Sequence, residues 1–309
     1  MRDIKNVLIC GIGAIGSIYA NKLSKSGNVN LKILVDEIRL QKYTENPPIF
    51  NGEKLCLDYV LPNFDTFKAD LIIIATKFDG LRDAVLNIKN FVSPDTIIIS
   101  LLNGVTSEEL IAQKYGWTHV PLAYFIGHSA MRDKNIITHD GVGTIVFGID
   151  SSKNTDIQDI NRLTEFFDKT GIDYEIPEDM KRSQWLKYML NVSSNQPSAI
   201  FRMTFGQMQS NKNFMKLLTE IMKEVVKIAK AEGVNNTENM LQDALIKFNK
   251  MSADGKTSML QDVLAHRKTE VEMFAGHIIK LGEKYSIKTP YNRILKNMID
   301  VIEEDFDNV

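Results

Sequence analysis

The chain has 309 residues, a net charge of −2, 44% hydrophobic and 25% charged residues, a length that suits two domains and a composition typical of a soluble globular protein. The near-neutral balance and the absence of a basic run exclude nucleic acid and anionic membrane as partners on bulk electrostatics. Two cysteines exclude a disulfide framework, and no apolar segment has bilayer-spanning length or the form of a signal peptide, so the expectation is a cytoplasmic protein.

The first half alternates short apolar runs with helical periodicity. Asn6–Cys10 predicts a strand, Ala14–Ser26 a helix with Ile15, Ile18, Tyr19 and Leu23 on one face, and Leu31–Val35 a second strand. Leu71–Ala75 and Thr96–Leu102 are further continuous apolar runs. Such runs separated by helices imply parallel strands buried on both faces, the βαβ architecture. Val120–Ile126 and Thr144–Gly148 predict strands around the turn-rich Thr138-His139-Asp140-Gly141-Val142-Gly143, read as a sheet extension closing the first domain. Asp156–Thr170 predicts a helix and Asp173–Ile176 a last strand.

After Pro177 strand signals vanish. Asp179–Ser194, Asn211–Glu232, Thr237–Met251, Asp262–Tyr285 and Tyr291–Asp305 carry helical periodicity. The fold class is therefore α/β: a Rossmann dinucleotide-binding domain over residues 1–177, with a mainly parallel sheet, and an all-helical substrate and catalytic domain over 178–309. Phe214, Leu217, Leu218, Ile221 and Met222 read as core of the second.

The loop Gly11-Ile12-Gly13-Ala14-Ile15-Gly16 follows a strand and opens a helix. The first glycine allows the tight turn, the second lets backbone approach a pyrophosphate, and the third lets helix and strand pack closely. The helix N-terminus then offers unpaired N–H groups to the phosphates. The alternatives are a glycine turn without a nucleotide, or a flavin. Asp36 ends the second strand, 20 residues after Gly16. An acid there hydrogen-bonds the ribose 2′-OH and repels a 2′-phosphate, favouring NADH; Arg39, close by, is instead suited to accept that phosphate. Lys77 and Asn103 follow the next two strand runs, on the edge where open α/β sheets bind ligands. A lysine there is placed to meet phosphate, ribose or substrate, the alternative being a surface lysine; an amide is placed to touch a nicotinamide or its reacting partner, and alone is equally a plain turn.

In the second half Lys187, Asn191 and Asn195 recur every fourth residue among Trp185, Leu186, Met189, Leu190 and Val192. On a helix they share one face, drifting about 40° per step. A polar stripe on an apolar helix is costly to bury unless it lines a cleft. Ser258 and Asp262 stand one helical turn apart before Thr269-Glu270. Asp262 is placed to cap a following helix, and Glu270 suits either a site or a solvated face.

With these motifs the chain resembles the 2-dehydropantoate 2-reductase (ketopantoate reductase) family nearly end to end: Gly11 to Gly16, Ala75-Thr76-Lys77, Leu102-Asn103-Gly104-Val105, Trp185-Leu186-Lys187 with Asn191 and Asn195, Ser258-Met259-Leu260-Gln261-Asp262, and Thr269-Glu270-Val271-Glu272. The resemblance implies reduction of the 2-keto group of 2-dehydropantoate to pantoate, in pantothenate biosynthesis, with hydride from a nicotinamide cofactor and no metal. It implies Lys187 as general acid and Glu270 as the carboxylate orienting substrate and lysine. Asn103 then stands between nicotinamide and substrate, Asn191, Asn195 and Ser258 bind substrate, and Lys77 contacts the cofactor or a carboxylate. The partner is a small 2-keto acid, and a homodimer follows by family analogy. The chain departs from the family at Asp36, where a basic residue and NADPH are usual, and at Asn195-Gln196-Pro197 and Met203-Thr204-Phe205. Those departures keep open another 2-keto or 2-hydroxy acid, or an opine-like substrate. A non-catalytic nucleotide sensor is disfavoured because Lys187 and Glu270 are both present.

Overall fold

Alternation of side chains along five apolar runs organises the N-terminal half. In the computed structural model, which describes residues 3–127, 131–140 and 143–308, the elements begin with β1 (Asn6–Cys10), α1 (Ala14–Lys25), β2 (Asn30–Leu34), α2 (Glu37–Glu45), β3 (Ile49–Phe50), β4 (Glu53–Lys54), β5 (Tyr59–Val60), β6 (Leu71–Ile74), α3 (Leu81–Asn87), β7 (Ile97–Ser100) and α4 (Ser107–Tyr115). The order β5-β2-β1-β6-β7 forms a five-stranded sheet in which every neighbouring pair is parallel. Val7, Ile9, Ile33, Leu71, Ile73, Ile97 and Ile99 point to one core, with Tyr19 and Leu23 of α1. Leu8, Cys10, Leu34, Ile72, Ile74 and Ile98 point to the other, with Leu81 and Val85 of α3 and Ile111 of α4. Burial on both faces is why the runs lack polar alternation. Cys10 behaves as a small apolar core residue, its thiol pKa pushed up by burial. The buried carboxylate of Asp70 accepts the N–H groups of Lys5 and Asn6 at 3.0 and 2.9 Å, tying the starts of β1 and β6 together.

Next come β8 (Leu122–Gly127), β9 (Met131–Asp133), β10 (Ile136–Thr138), β11 (Gly143–Gly148), α5 (Ile157–Thr170) and β12 (Tyr174–Glu175). The expected sheet extension forms instead as a separate three-stranded sheet, β12-β11-β8. A backbone hydrogen bond from Ile98 to the His119 carbonyl links β7 to the segment leading into β8. Of the expected turn, Gly141 and Val142 lie outside the described residues. A four-stranded sheet, β4-β3-β10-β9, was not legible in the sequence: its two- and three-residue strands are too short to show a period. Phe50, Leu55 and Ile137 form its core. α5 begins at the Asp156 side chain, which accepts from Gln158 N–H at 2.9 Å, and ends at Gly171, whose φ of 66° is the left-handed cap.

The chain divides into two compact units, Met1–Lys181 and Arg182–Val309. The second holds most of α6 (Met180–Phe201), then α7 (Phe205–Ser210), α8 (Lys212–Ala231), α9 (Met240–Asn249), α10 (Ser258–Leu264), a π-helical turn (Glu272–Gly276), α11 (His277–Lys284) and α12 (Pro290–Glu304). α6 runs past the expected end at Ser194 and through Pro197. Proline removes one intrahelical donor, but nearly every residue there is buried, and packing outweighs that loss. Phe214, Leu218, Ile221 and Met222 are buried on α8, as expected. Glu224 of α8 is buried, and its carboxylate accepts from Tyr291 N–H, Asn292 N–H and the Asn292 amide at 2.8, 3.2 and 2.8 Å, capping the first turn of α12.

The single helix expected over Asp262–Tyr285 is broken. His266 takes a left-handed φ of 49°, and the N–H groups of His266 and Arg267 return to the carbonyls of Val263 and Asp262. Asp262, expected as the cap of a following helix, is itself helical. It lies within α10, paired with Arg267 at 2.8 Å, and the cap of α10 is Thr257, which accepts from Leu260 N–H. Among the described residues no helix is long and apolar enough to cross a membrane.

Candidate active site

The strand order β2-β1-β6-β7 sets four sequence-predicted positions in one row along the carboxyl edge of the parallel sheet: Asp36 after β2, Gly11 to Gly16 after β1, Lys77 after β6 and Asn103 after β7. The three glycines have different reasons for lacking a side chain. Gly11 has φ +99°, and a Cβ there would lie 2.7 Å from the Ala75 carbonyl oxygen. A Cβ on Gly16 would lie 1.9 Å from the Gly11 oxygen, so the helix could not sit where it does. Gly13 has φ −82°, and a Cβ would meet nothing nearer than the Ala75 oxygen at 3.9 Å. No protein atom requires glycine at 13. Close approach of a ligand to this backbone would require it.

Gly13 is the N-cap residue of α1, and the first turn carries no acidic side chain. Ala14, Ile15 and their neighbours thus present helix N-terminal N–H groups in a turn without an acidic side chain, an arrangement that suits a pyrophosphate. Ile12 is buried and anchors the loop in the core. Its carbonyl accepts from the guanidinium of Arg132 on β9, which also donates to the Lys134 carbonyl at 2.9 Å and reaches the Tyr43 hydroxyl at 3.4 Å. Sequence reasoning missed Arg132, because a contact across some 120 residues leaves no local signal.

Asp36 is the N-cap of α2. Its carboxylate accepts the Arg39 N–H at 2.6 Å and also pairs with the Arg39 guanidinium. The two residues that argued for opposite cofactors in the sequence are therefore one ion pair, with the carboxylate half-exposed. The pairing partly neutralises Arg39 and holds Asp36 at the end of β2.

In the second unit α6 is the spine. Of residues 184–199 only Lys187 and Asn191 are not buried. Asn195, one step further along the same stripe, is buried, and its amide nitrogen lies 3.5 Å from the hydroxyl of exposed Ser258, the first residue of α10. Thr257 donates to Ser198 at 3.1 Å beside it. Glu270 is half-buried at the start of the last segment: Thr269 N–H donates to Glu303 at 2.7 Å, Val271 N–H to the Thr269 hydroxyl at 3.3 Å, and Met273 and Phe274 N–H return to the Glu270 carbonyl. α6 thus brings Asn195 beside Ser258. The hydroxyl of Tyr188, next to Lys187, joins α6 to the turn after Glu270, at 2.9 Å from the carbonyls of Met273 and Phe274.

Buried serines fill much of the remaining polar surface of α6. Ser193 and Ser194 donate to the carbonyls of Met189 and Leu190 one turn back, at 2.7 and 2.6 Å, and so need no outside partner. Sequence reasoning also missed Tyr188. Its signal was available: a tyrosine rather than a phenylalanine on a buried face needs a partner for its hydroxyl. His277 of α11 packs on the Tyr188 ring, 6.2 Å between centroids, and burial holds its pKa down at about 4, so the imidazole is neutral. Among the described residues no group of three or more His, Cys, Asp or Glu is arranged to hold a metal ion.

The profile described as ketopantoate reductase PanE/ApbA matches residues 7–151, and that described as ketopantoate reductase PanE/ApbA C terminal matches residues 179–303. The 2-dehydropantoate 2-reductase of Streptococcus pyogenes serotype M6 is 26% identical over 301 residues, covering 96% of this chain and 97% of that one. Among solved structures, a ternary complex of D-mandelate dehydrogenase with NADH and anilino(oxo)acetate superposes with a TM-score of 0.85 at 22% identity, covering 98% and 99% of the two chains. A dimeric ketopantoate reductase from Staphylococcus aureus has a TM-score of 0.74 at 20% identity, covering 97% and 99%.

Proposed function

The chain belongs to the ketopantoate reductase PanE/ApbA family, which makes it an NAD(P)-dependent 2-keto acid reductase, and from that premise we propose that it reduces 2-dehydropantoate to pantoate, with residues 1–177 binding the dinucleotide and 178–309 supplying the catalytic groups. The observation that carries the catalytic assignment is the burial pattern of α6: a lysine and an amide, Lys187 and Asn191, remain accessible on an otherwise buried stretch. A buried apolar helix that opens to solvent at a lysine and an asparagine one turn apart has the form of a site wall.

When bound, the nicotinamide supplies hydride to the keto carbon. Reduction builds negative charge on the keto oxygen, and the Lys187 ammonium stabilises that charge and donates the proton. Glu270 keeps the ammonium charged and orients it and the substrate hydroxyl. Asn191, Asn195 and Ser258 recognise the substrate's carboxylate and hydroxyl without adding charge. Gly11 to Gly16 hold the pyrophosphate, Asn103 borders nicotinamide and substrate, and Lys77 contacts the dinucleotide or the substrate carboxylate. Asp36 accepts from a ribose 2′-OH and disfavours a 2′-phosphate, so NADH is the preferred cofactor.

A second reading has support from the fold neighbour that binds NADH and anilino(oxo)acetate and from Asp36. On it, the substrate is a different 2-keto acid with a larger side chain. Initial rates with 2-dehydropantoate and with aryl and branched 2-keto acids, each with NADH and NADPH, separate the two. Turnover of another acid with none of 2-dehydropantoate retires the pantoate assignment. The working unit on this account is a homodimer.

A further inference from the structure

We propose that Tyr188 is a positioning residue for the catalytic pair: its hydroxyl, 2.9 Å from the carbonyls of both Met273 and Phe274, pins the π-helical turn that follows Glu270 to the helix that carries Lys187. The inference rests on the assignment of Lys187 and Glu270 given above. A π-helical turn holds one residue more than an α-helical turn, so the phase of the helix on either side depends on whether that turn is kept. The turn over Glu272–Gly276 is buried at Met273, Phe274 and Ala275, and the N–H of His277 returns to the carbonyls of Glu272 and Phe274. The Tyr188 hydroxyl adds one bifurcated donor from α6, shared between the carbonyls of Met273 and Phe274. Burial raises the phenol's pKa well above its ordinary value, so it stays a neutral donor.

The ring is equally constrained. It meets Trp185 edge-on at 5.6 Å and packs against Phe274 and His277 at 6.4 and 6.2 Å. Tyr188 therefore has little freedom to carry its hydroxyl elsewhere. The chain before the turn is fixed at Thr269 by Glu303 and the chain after it continues into α11. If the turn relaxed to α-helical winding, the segment before it would rotate by about 100° relative to α11, one residue's phase. Glu270 lies two residues before that turn, and Lys187 is the neighbour of Tyr188 in α6. One hydroxyl thus sets the register between the two groups, although it is buried and Lys187 is the accessible neighbour.

The test is Tyr188→Phe, which removes one oxygen and leaves the ring, compared with Trp185→Phe, which disturbs the same packing and leaves the hydroxyl. Kinetics are read with sucrose present, at a temperature where far-ultraviolet circular dichroism gives both variants the native spectrum. Y188F is expected to lower kcat by about ten- to a hundredfold, with the nicotinamide KM changed less than about twofold. Its basic limb in kcat/KM against pH should move to lower pH, because a displaced carboxylate no longer holds the ammonium charged. W185F is expected to lower the melting temperature and leave the basic limb in place. Y188F with native kcat and a native basic limb overturns the proposal, as does an equal shift of the limb in both variants. Lys187→Ala separates this failure from that of the underlying assignment. Turnover surviving in K187A removes Lys187 as the acid. An inactive K187A beside an unaltered Y188F removes only the role of Tyr188.

Discussion

Replacing Asp36 by Asn removes one charge at the end of β2 and little else. The asparagine oxygen still accepts the Arg39 N–H, and Asn caps a helix about as well as Asp, so stability is expected to change by less than about 0.5 kcal/mol. The electrostatics change more. A 2′-phosphate carries a charge of about −1.5 to −2. At roughly 5 Å from the carboxylate each unit charge costs about 0.8 kcal/mol at the dielectric of water, and several times that in a drier site. The Asp36 side chain is 46% exposed, so the aqueous figure governs. The repulsion is then about 1.5 kcal/mol, or about tenfold in affinity, and somewhat less at physiological salt. The substitution also releases the Arg39 guanidinium, which Asp36 holds in the native chain, and a freed arginine attracts the phosphate with comparable strength. Steady-state kinetics with both cofactors measure the outcome. The native enzyme is expected to favour NADH, and D36N to raise the NADPH-to-NADH ratio of kcat/KM by about ten- to a hundredfold. A native preference for NADPH, or a ratio that moves less than about threefold, refutes the reasoning.

Four further substitutions have expected outcomes. Lys187→Ala is expected to lower kcat by about 10²- to 10⁴-fold with nucleotide affinity, measured by fluorescence titration, unchanged. Gly13→Ala should leave the melting temperature unchanged, since its Cβ meets no atom closer than 3.9 Å, yet weaken dinucleotide binding by at least about tenfold. Gly16→Ala should unfold or strongly destabilise the first unit, because its Cβ would lie 1.9 Å from the Gly11 oxygen. Equal melting temperatures for these two variants would contradict that distinction. His277 titrates at about 4 when folded, against an ordinary 6.5, so as pH falls the unfolded chain takes up the proton first. Its contribution is complete above pH 6.5 and is lost progressively toward pH 4, an acid destabilisation of about 3 kcal/mol. Denaturant midpoints of the native chain and His277→Gln across that window should diverge in pH dependence, and parallel curves would dismiss the half-buried neutral imidazole.

The parts of the fold that were legible share one property: their signal is local. Asn6–Cys10, Leu71–Ile74 and Ile97–Ser100 are continuous apolar runs because each strand feeds two cores, and α8 carries its period over 20 residues. What was illegible depends on distant partners. β3 pairs with β10 through Ile49–Ile136 and Phe50–Ile137, and neither run is long enough to show a period alone. α6 continues through Pro197 because it is buried, and α10 ends at Leu264, two residues before His266 turns left-handed. Neither follows from propensity. The candidate site divides the same way. The glycine loop and the Lys187, Asn191, Asn195 spacing are local patterns. The Asp36–Arg39 pair, the reach of Arg132 to the glycine loop and the seat of the Tyr188 hydroxyl are contacts that only a folded chain reveals.

Everything proposed for the catalytic groups depends on Lys187 acting as the proton donor when a nicotinamide reduces a 2-keto acid. The most direct measurement is oxidation of NADH by the purified protein with 2-dehydropantoate, run beside K187A at matched nucleotide occupancy. Turnover is expected from the native chain, with its near-abolition in K187A while NADH still binds. Equal rates in the two proteins, or no turnover of any 2-keto acid by a native chain that binds the nucleotide, would contradict it.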